Sequence, residues 1–94
     1  VRDIGARNVL ILRNHGLLTI GKTVPDAFEL MFYLERACQI QIAATSGAQK
    51  LVYPSKQVCD HAVAQFDGSP SYIQGRDWLA LLRLLDRNDP SYKE

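Results

Sequence analysis

The sequence predicts an α/β fold in which two antiparallel strands precede a run of helices. Three observations carry this. Val9-Leu10-Ile11-Leu12 is a continuous aliphatic run with strand character. A second strand-like run, Leu17-Leu18-Thr19-Ile20, follows after the short interruption Asn14-His15-Gly16. Apolar residues at helical spacing then extend from Ala27 to Ala44 behind a capping signal. The resulting order is strand, strand, long helix, short helix, helix, which is the edge of an α/β layer; two strands alone do not make a stable sheet.

The uninterrupted Val9-Leu10-Ile11-Leu12 run reads as a strand covered on both faces, which places it in the middle of a sheet. The short connection makes the next strand its antiparallel neighbour, with Gly16 free to take a backbone angle that other residues resist. His15 then stands at one end of the sheet. In Thr23-Val24-Pro25-Asp26, Thr23 can cap free N–H groups, Pro25 suits the first turn and Asp26 complements the positive end of the helix dipole. Ala27, Leu30, Met31, Leu34, Cys38 and Ile42 form one stripe, and Phe28, Tyr33, Ala37, Ile40 and Ala44 widen it, so this helix is expected to be covered on more than one side. Ser46-Gly47 should end it, the glycine taking a left-handed conformation. Leu51-Val52-Tyr53-Pro54 reads as an extended link, and Ser55 as the cap of a helix with Val58, Ala62 and Phe66 on one face. Asp67-Gly68-Ser69-Pro70 stops that helix. A last helix is expected from about Arg76 to Arg87, with Trp78, Leu81, Leu82 and Leu85 on one face, before Asn88-Asp89-Pro90.

Composition narrows the function classes. The 94 residues, 47% hydrophobic and 22% charged, describe one globular unit near the small end of self-sufficient domains. Eleven basic against ten acidic residues, a net charge of +1, are scattered along the chain and provide no nucleic-acid footprint. Cys38 and Cys59 lack a close cysteine partner, which points away from a disulfide framework and towards a reducing, cytoplasmic setting. No stretch reaches the roughly 20 apolar residues of a membrane span. The chain begins at Val1 and its single methionine is Met31, so it is expected to be a processed product or part of a longer protein.

Among residues that carry chemistry, His15 ranks first: an imidazole beside a glycine at a strand end is held firmly with an open approach. A catalytic zinc needs about three protein ligands, and this chain has no obvious way to supply the other two. His61 and Cys59, two apart on a helix, project to different sides and cannot grip one ion together. His15 is therefore either a structural histidine or a ligand whose partners lie outside these residues. Cys38 reads as a small core residue, and Glu35-Arg36 as charges on a wet helix face. Gly21-Lys22-Thr23 makes no phosphate loop, because the stretch that precedes it holds hydrophobic Leu17, Leu18 and Ile20. Tyr92 has no assigned role beyond packing.

Taken together, Val9-Leu10-Ile11-Leu12-Arg13-Asn14-His15-Gly16, Gly21-Lys22-Thr23, Ala27-Phe28 and Leu34-Glu35-Arg36-Ala37-Cys38 resemble the C-terminal half of the class II aldolase/adducin domain, across roughly Ile4 to Ala44. The tail from Leu81 to Tyr92 looks like the adducin-like members. The resemblance implies that residues 1–94 are the C-terminal portion of a three-layer α/β/α domain about twice this length, assembled as a homotetramer with sites between subunits. It carries His15 onto the third histidine of the family's zinc site, with a His-x-His pair and a catalytic carboxylate expected upstream. For the intact protein it implies zinc-dependent aldol cleavage of a small hydroxy-carbonyl or sugar-type substrate, zinc acting as a Lewis acid. The isolated chain would then be inactive. The competing implication is a non-catalytic, adducin-like oligomerisation or cytoskeletal interaction module.

Overall fold

A computed structural model describes residues 5–67 and 71–94. The chain divides into two compact units, Val1–Ser55 and Lys56–Glu94.

The first unit is a β-hairpin followed by a long helix. Strand β1 (Val9–Leu12) pairs antiparallel with β2 (Gly16–Thr19), in the register Val9↔Thr19, Leu10↔Leu18, Ile11↔Leu17 and Leu12↔Gly16. The pairing extends one step further through the Ile20 N–H, which donates to the Asn8 carbonyl at 2.8 Å. Strand pairing and hairpin order agree with the sequence reading; the placement of β1 in the middle of a sheet does not. Among the described residues β1 pairs with β2 alone, and Ile11 is 65% exposed. An apolar run records what a strand can bury, and nothing within this sheet supplies the covering layer.

Helix α1 (Val24–Thr45) begins where the capping signal places it. Thr23 is extended, its hydroxyl accepts from the Asp26 N–H at 3.2 Å, and the same hydroxyl donates to Asp26 Oδ2 at 2.8 Å. The seam between hairpin and helix is close. Thr19 Oγ1 donates to the Ala27 carbonyl at 2.8 Å. A Cβ on Gly21 would lie 2.4 Å from the Ala27 backbone nitrogen. Glycine is required there for space, since the chain must pass directly under the first turn of the helix.

The predicted stripe on α1 is half-buried at Ala27, Leu30, Met31, Leu34 and Cys38. Ile42, at its far end, is 69% exposed, and Phe28, Tyr33 and Ile40, which were expected to be covered, are exposed as well. The expectation of a helix covered on several sides is thus corrected: the hairpin reaches only the N-terminal part of α1. The helix end is also corrected. Its C-cap, Ser46, stays right-handed at φ −78°, and the last carbonyls are met by hydroxyls instead of a left-handed glycine. Thr45 Oγ1 donates to the Gln41 carbonyl at 2.8 Å and Ser46 Oγ to the Ala43 carbonyl at 2.9 Å.

The second unit is helical. Helix α2 (Lys56–Asp67) starts directly after Ser55, the expected cap position, and Lys56 pairs with Asp60 one turn on. Of the predicted stop signal, 68–70 lie outside the described residues. Helix α3 (Ser71–Asn88) begins five residues before the expected start and passes through Gly75. One glycine costs a helix interior about 1 kcal/mol relative to alanine, which is too little to end it. After Asn88 the chain makes a 3₁₀ turn, Pro90–Lys93, with Asp89 Oδ1 accepting from the Ser91 N–H at 3.1 Å.

Candidate functional site

The geometry that singles out His15 is a three-residue loop. Arg13, Asn14 and His15 connect β1 to β2, and the His15 N–H donates to the Leu12 carbonyl at 3.3 Å, closing a tight turn. Asn14 sits at φ 61° and Gly16 at φ 115°. A positive φ at the third turn residue is the sign a type II turn requires, and asparagine tolerates it better than most residues. His15 thus stands between two residues with left-handed backbone, at the end of the sheet where the sequence places it. Its side chain is exposed.

The other candidates do not join it. Among the described residues no group of three His, Cys, Asp or Glu side chains could hold a metal ion. His61 and Cys59 are exposed on α2, in the second unit, and Cys38 is a half-buried free thiol on α1. Glu35 accepts from Gln39 at 3.3 Å, and Arg36 lies 6.0 Å from the centre of the Phe32 ring, so the Glu35-Arg36 pair is engaged along its own helix. Gly16–Thr19 is strand and Thr23 is the helix cap, so the residues leading to Gly21-Lys22-Thr23 are committed to pairing and capping. A phosphate cradle is absent there for that reason.

Two features escape the sequence reading. Glu29 has one carboxylate oxygen, Oε2, shielded from solvent without a hydrogen-bond partner. Only its position beside Leu30 and Met31 signals this. The second is a polar clamp at the chain's end. Tyr92 donates its hydroxyl to Asp86 Oδ1 at 2.5 Å, and Lys93 Nζ lies 2.9 Å from the same oxygen. The Tyr92 hydrogen bond, followed by that of Lys93, holds the Asp86 carboxyl below its ordinary value, while the same contacts raise Tyr92 and Lys93. A carboxyl depressed on folding stabilises above its unfolded value of about 3.9 and loses that contribution as pH falls through the folded value. Tyr92 and Lys93, raised on folding, contribute below their unfolded values and lose it as pH rises through the folded ones. In a carbon-detected NMR titration the Asp86 carboxyl should therefore turn over below about 3.9, and Tyr92→Phe should move it upward. An Asp86 inflection that Tyr92→Phe leaves in place would count against the clamp.

The comparisons with known proteins take in the segment that holds this hairpin and, for the bacterial relatives, almost the whole chain. Residues 1–42 match the family model described as the class II aldolase and adducin N-terminal domain. Two bacterial proteins whose names begin "Putative aldolase class 2 protein" are similar across almost all of this chain. The Pseudomonas aeruginosa protein is 43% identical over 98% of the chain and 37% of its own length. The Caulobacter vibrioides protein is 37% identical over 100% and 37%. Human β-adducin is 50% identical over 83% of the chain, but 12% of the adducin. Among solved structures, the crystal structure of an aldolase II superfamily protein from Pseudomonas syringae matches with a TM-score of 0.82 at 43% identity, over 100% of this chain and 38% of that one. The chain therefore spans little more than a third of the bacterial proteins it matches. The match of residues 1–42 to the family model, relatives similar along almost the whole chain and a solved structure of the same superfamily name make this chain similar to the class II aldolase/adducin proteins.

Proposed function

We propose that this chain is the C-terminal portion of a zinc-dependent class II aldolase-like domain, and that the intact protein cleaves a carbon–carbon bond in a small hydroxy-carbonyl or sugar-type substrate. The observation that carries this reading is the exposed His15 imidazole on a hairpin turn closed by its own backbone N–H. An imidazole nitrogen is a fitting zinc donor, and a firm turn is a fitting support for one. One histidine is one ligand of the three or so a catalytic zinc takes, so the remaining donors come from the rest of the protein or from another copy. When bound, zinc supplies Lewis acidity to the substrate's oxygens.

The chain's own part in this chemistry is to present the His15 ring, exposed at the turn, correctly aimed. The turn commits the His15 backbone N–H to the Leu12 carbonyl and leaves the imidazole exposed. The seam of Thr19, Gly21 and Ala27 ties the hairpin to α1, so that the histidine is borne on two elements rather than one. In this reading the protein works as a homo-oligomer, a tetramer, in a reducing cytoplasm; two unpaired thiols and many exposed apolar side chains on α1 support it.

The alternative is an adducin-like interaction module without catalysis. What favours it is the 50% identity with human β-adducin over 83% of the chain. The intact protein decides between them. Exhaustive chelation should abolish cleavage of short hydroxy-carbonyl or sugar-type substrates, and zinc should restore it. Cleavage that survives complete metal removal overturns the zinc-dependent reading. Zinc-replete protein that cleaves nothing, yet sediments as a stable oligomer, supports the interaction module.

A further inference from the structure

The turn that carries His15 is built on an unusual backbone. Of the described residues other than glycine, Asn14 alone has a positive φ, at 61°. The residue on the other side of the histidine, Gly16, has φ 115°. Left-handed backbone is disfavoured for residues with a Cβ, least so for asparagine, and is open to glycine. His15 itself is conventional, so the unusual path of the backbone that carries it comes from the two residues that flank it. No crowding explains Gly16: a Cβ there would meet no atom within 4 Å. The requirement at this position is for a backbone angle and not for space, in contrast with Gly21, where the Cβ would strike backbone at 2.4 Å.

From this we infer that Asn14 is a positioning residue for His15, acting through its left-handed backbone and not through its side-chain amide. Asn14 is exposed, as is His15. With φ positive at Asn14, the chain reverses within the three-residue loop, and the following residue is delivered to the end of the sheet with its N–H bonded to Leu12 at 3.3 Å. A residue that resists positive φ would pull the turn towards another type and re-aim the imidazole, while the strands that flank it stay paired. The inference rests on the reading of His15 as a zinc ligand, and the test separates the two.

Zinc affinity of the intact protein is measured by competition with a chromophoric chelator for wild type, Asn14→Val, Asn14→Gly, Gly16→Ala and His15→Ala. Asn14→Val and Gly16→Ala are expected to bind zinc roughly tenfold more weakly, because each places an ordinary side chain on left-handed backbone. Asn14→Gly, which has no amide but accepts positive φ, should stay within about twofold of wild type. That rescue is the result a side-chain role would not produce. If Asn14→Val fails to fold, Asn14→Ala imposes a smaller penalty of the same sign with a single methyl. Equal losses in Asn14→Gly and Asn14→Val would overturn the backbone role. Unchanged affinity in Asn14→Val and Gly16→Ala, with zinc lost in His15→Ala, would overturn positioning while leaving His15 as a ligand. Zinc retained in His15→Ala would remove the ligand reading, and this inference with it.

Discussion

Gly21→Ala should destabilise the intact protein by about 3 kcal/mol, the upper part of the range for forcing extra volume into a closed contact. The added Cβ would lie 2.4 Å from the Ala27 nitrogen, 2.7 Å from the Asp26 Cβ and 2.9 Å from the Asp26 carbonyl carbon. Two of these three are backbone atoms in the first turn of α1, which has no rotamer to move. Relief requires the helix start to shift away from β2. That motion lengthens the 2.8 Å hydrogen bond from Thr19 Oγ1 to the Ala27 carbonyl and disturbs the cap at Thr23. The loss of contacts on one seam is coupled, so Gly21→Ala and Thr19→Val should be non-additive in a double-mutant cycle. Gly47→Ala is the comparison. Its Cβ would approach only the Gln49 nitrogen, at 4.0 Å, so its effect should stay within roughly 0.5 kcal/mol. Urea midpoints of the single variants and of the Gly21→Ala/Thr19→Val double variant decide the matter. A Gly21→Ala protein as stable as wild type would mean that hairpin and helix are not in this contact.

His15→Ala is expected to lower zinc affinity more than 100-fold, beyond what loss of an outer-shell partner usually causes. Under the proposed function it should also lower the rate of carbon–carbon cleavage by roughly 10³, the equivalent of several kcal/mol of lost Lewis-acid stabilisation. In the zinc-free protein, stability should hardly change. His15 is exposed, and the turn is closed by its backbone N–H, which alanine retains. A change within about 0.5 kcal/mol of wild type is what a surface substitution gives. His61→Ala provides the control, since His61 lies on α2 in the other unit and has no place in the hairpin. Zinc content measured on both proteins separates the outcomes. Equal zinc in His15→Ala and wild type would remove this histidine from the site, whatever the activity.

The hairpin and the start of α1 were legible because their determinants are local. Aliphatic runs, a short connection with Asn14 and Gly16, and the Thr23-Pro25-Asp26 cap act within a few residues of themselves, and each lies where the sequence places it. The stripe from Ala27 to Cys38 follows from helical periodicity alone. The metal-ligand role proposed for His15 rests on resemblance, not on spacing, since among the described residues no group of donors could hold a metal with it.

What only tertiary structure decided is how far those local features are used. Periodicity marks Ile42 and Ile40 as apolar, but whether they are covered depends on how far the hairpin reaches along α1, and it reaches only the first part. The need for glycine at residue 21 arises from the distance between two elements, which no local pattern contains. The clamp of Tyr92 and Lys93 on Asp86 depends on a turn that folds the chain's end back onto α3. Local sequence thus determined which elements form and which residue stands at the turn. Contact between elements determined which side chains are covered, which backbone positions are obligatory and how His15 is held, because those depend on distances that only folding sets.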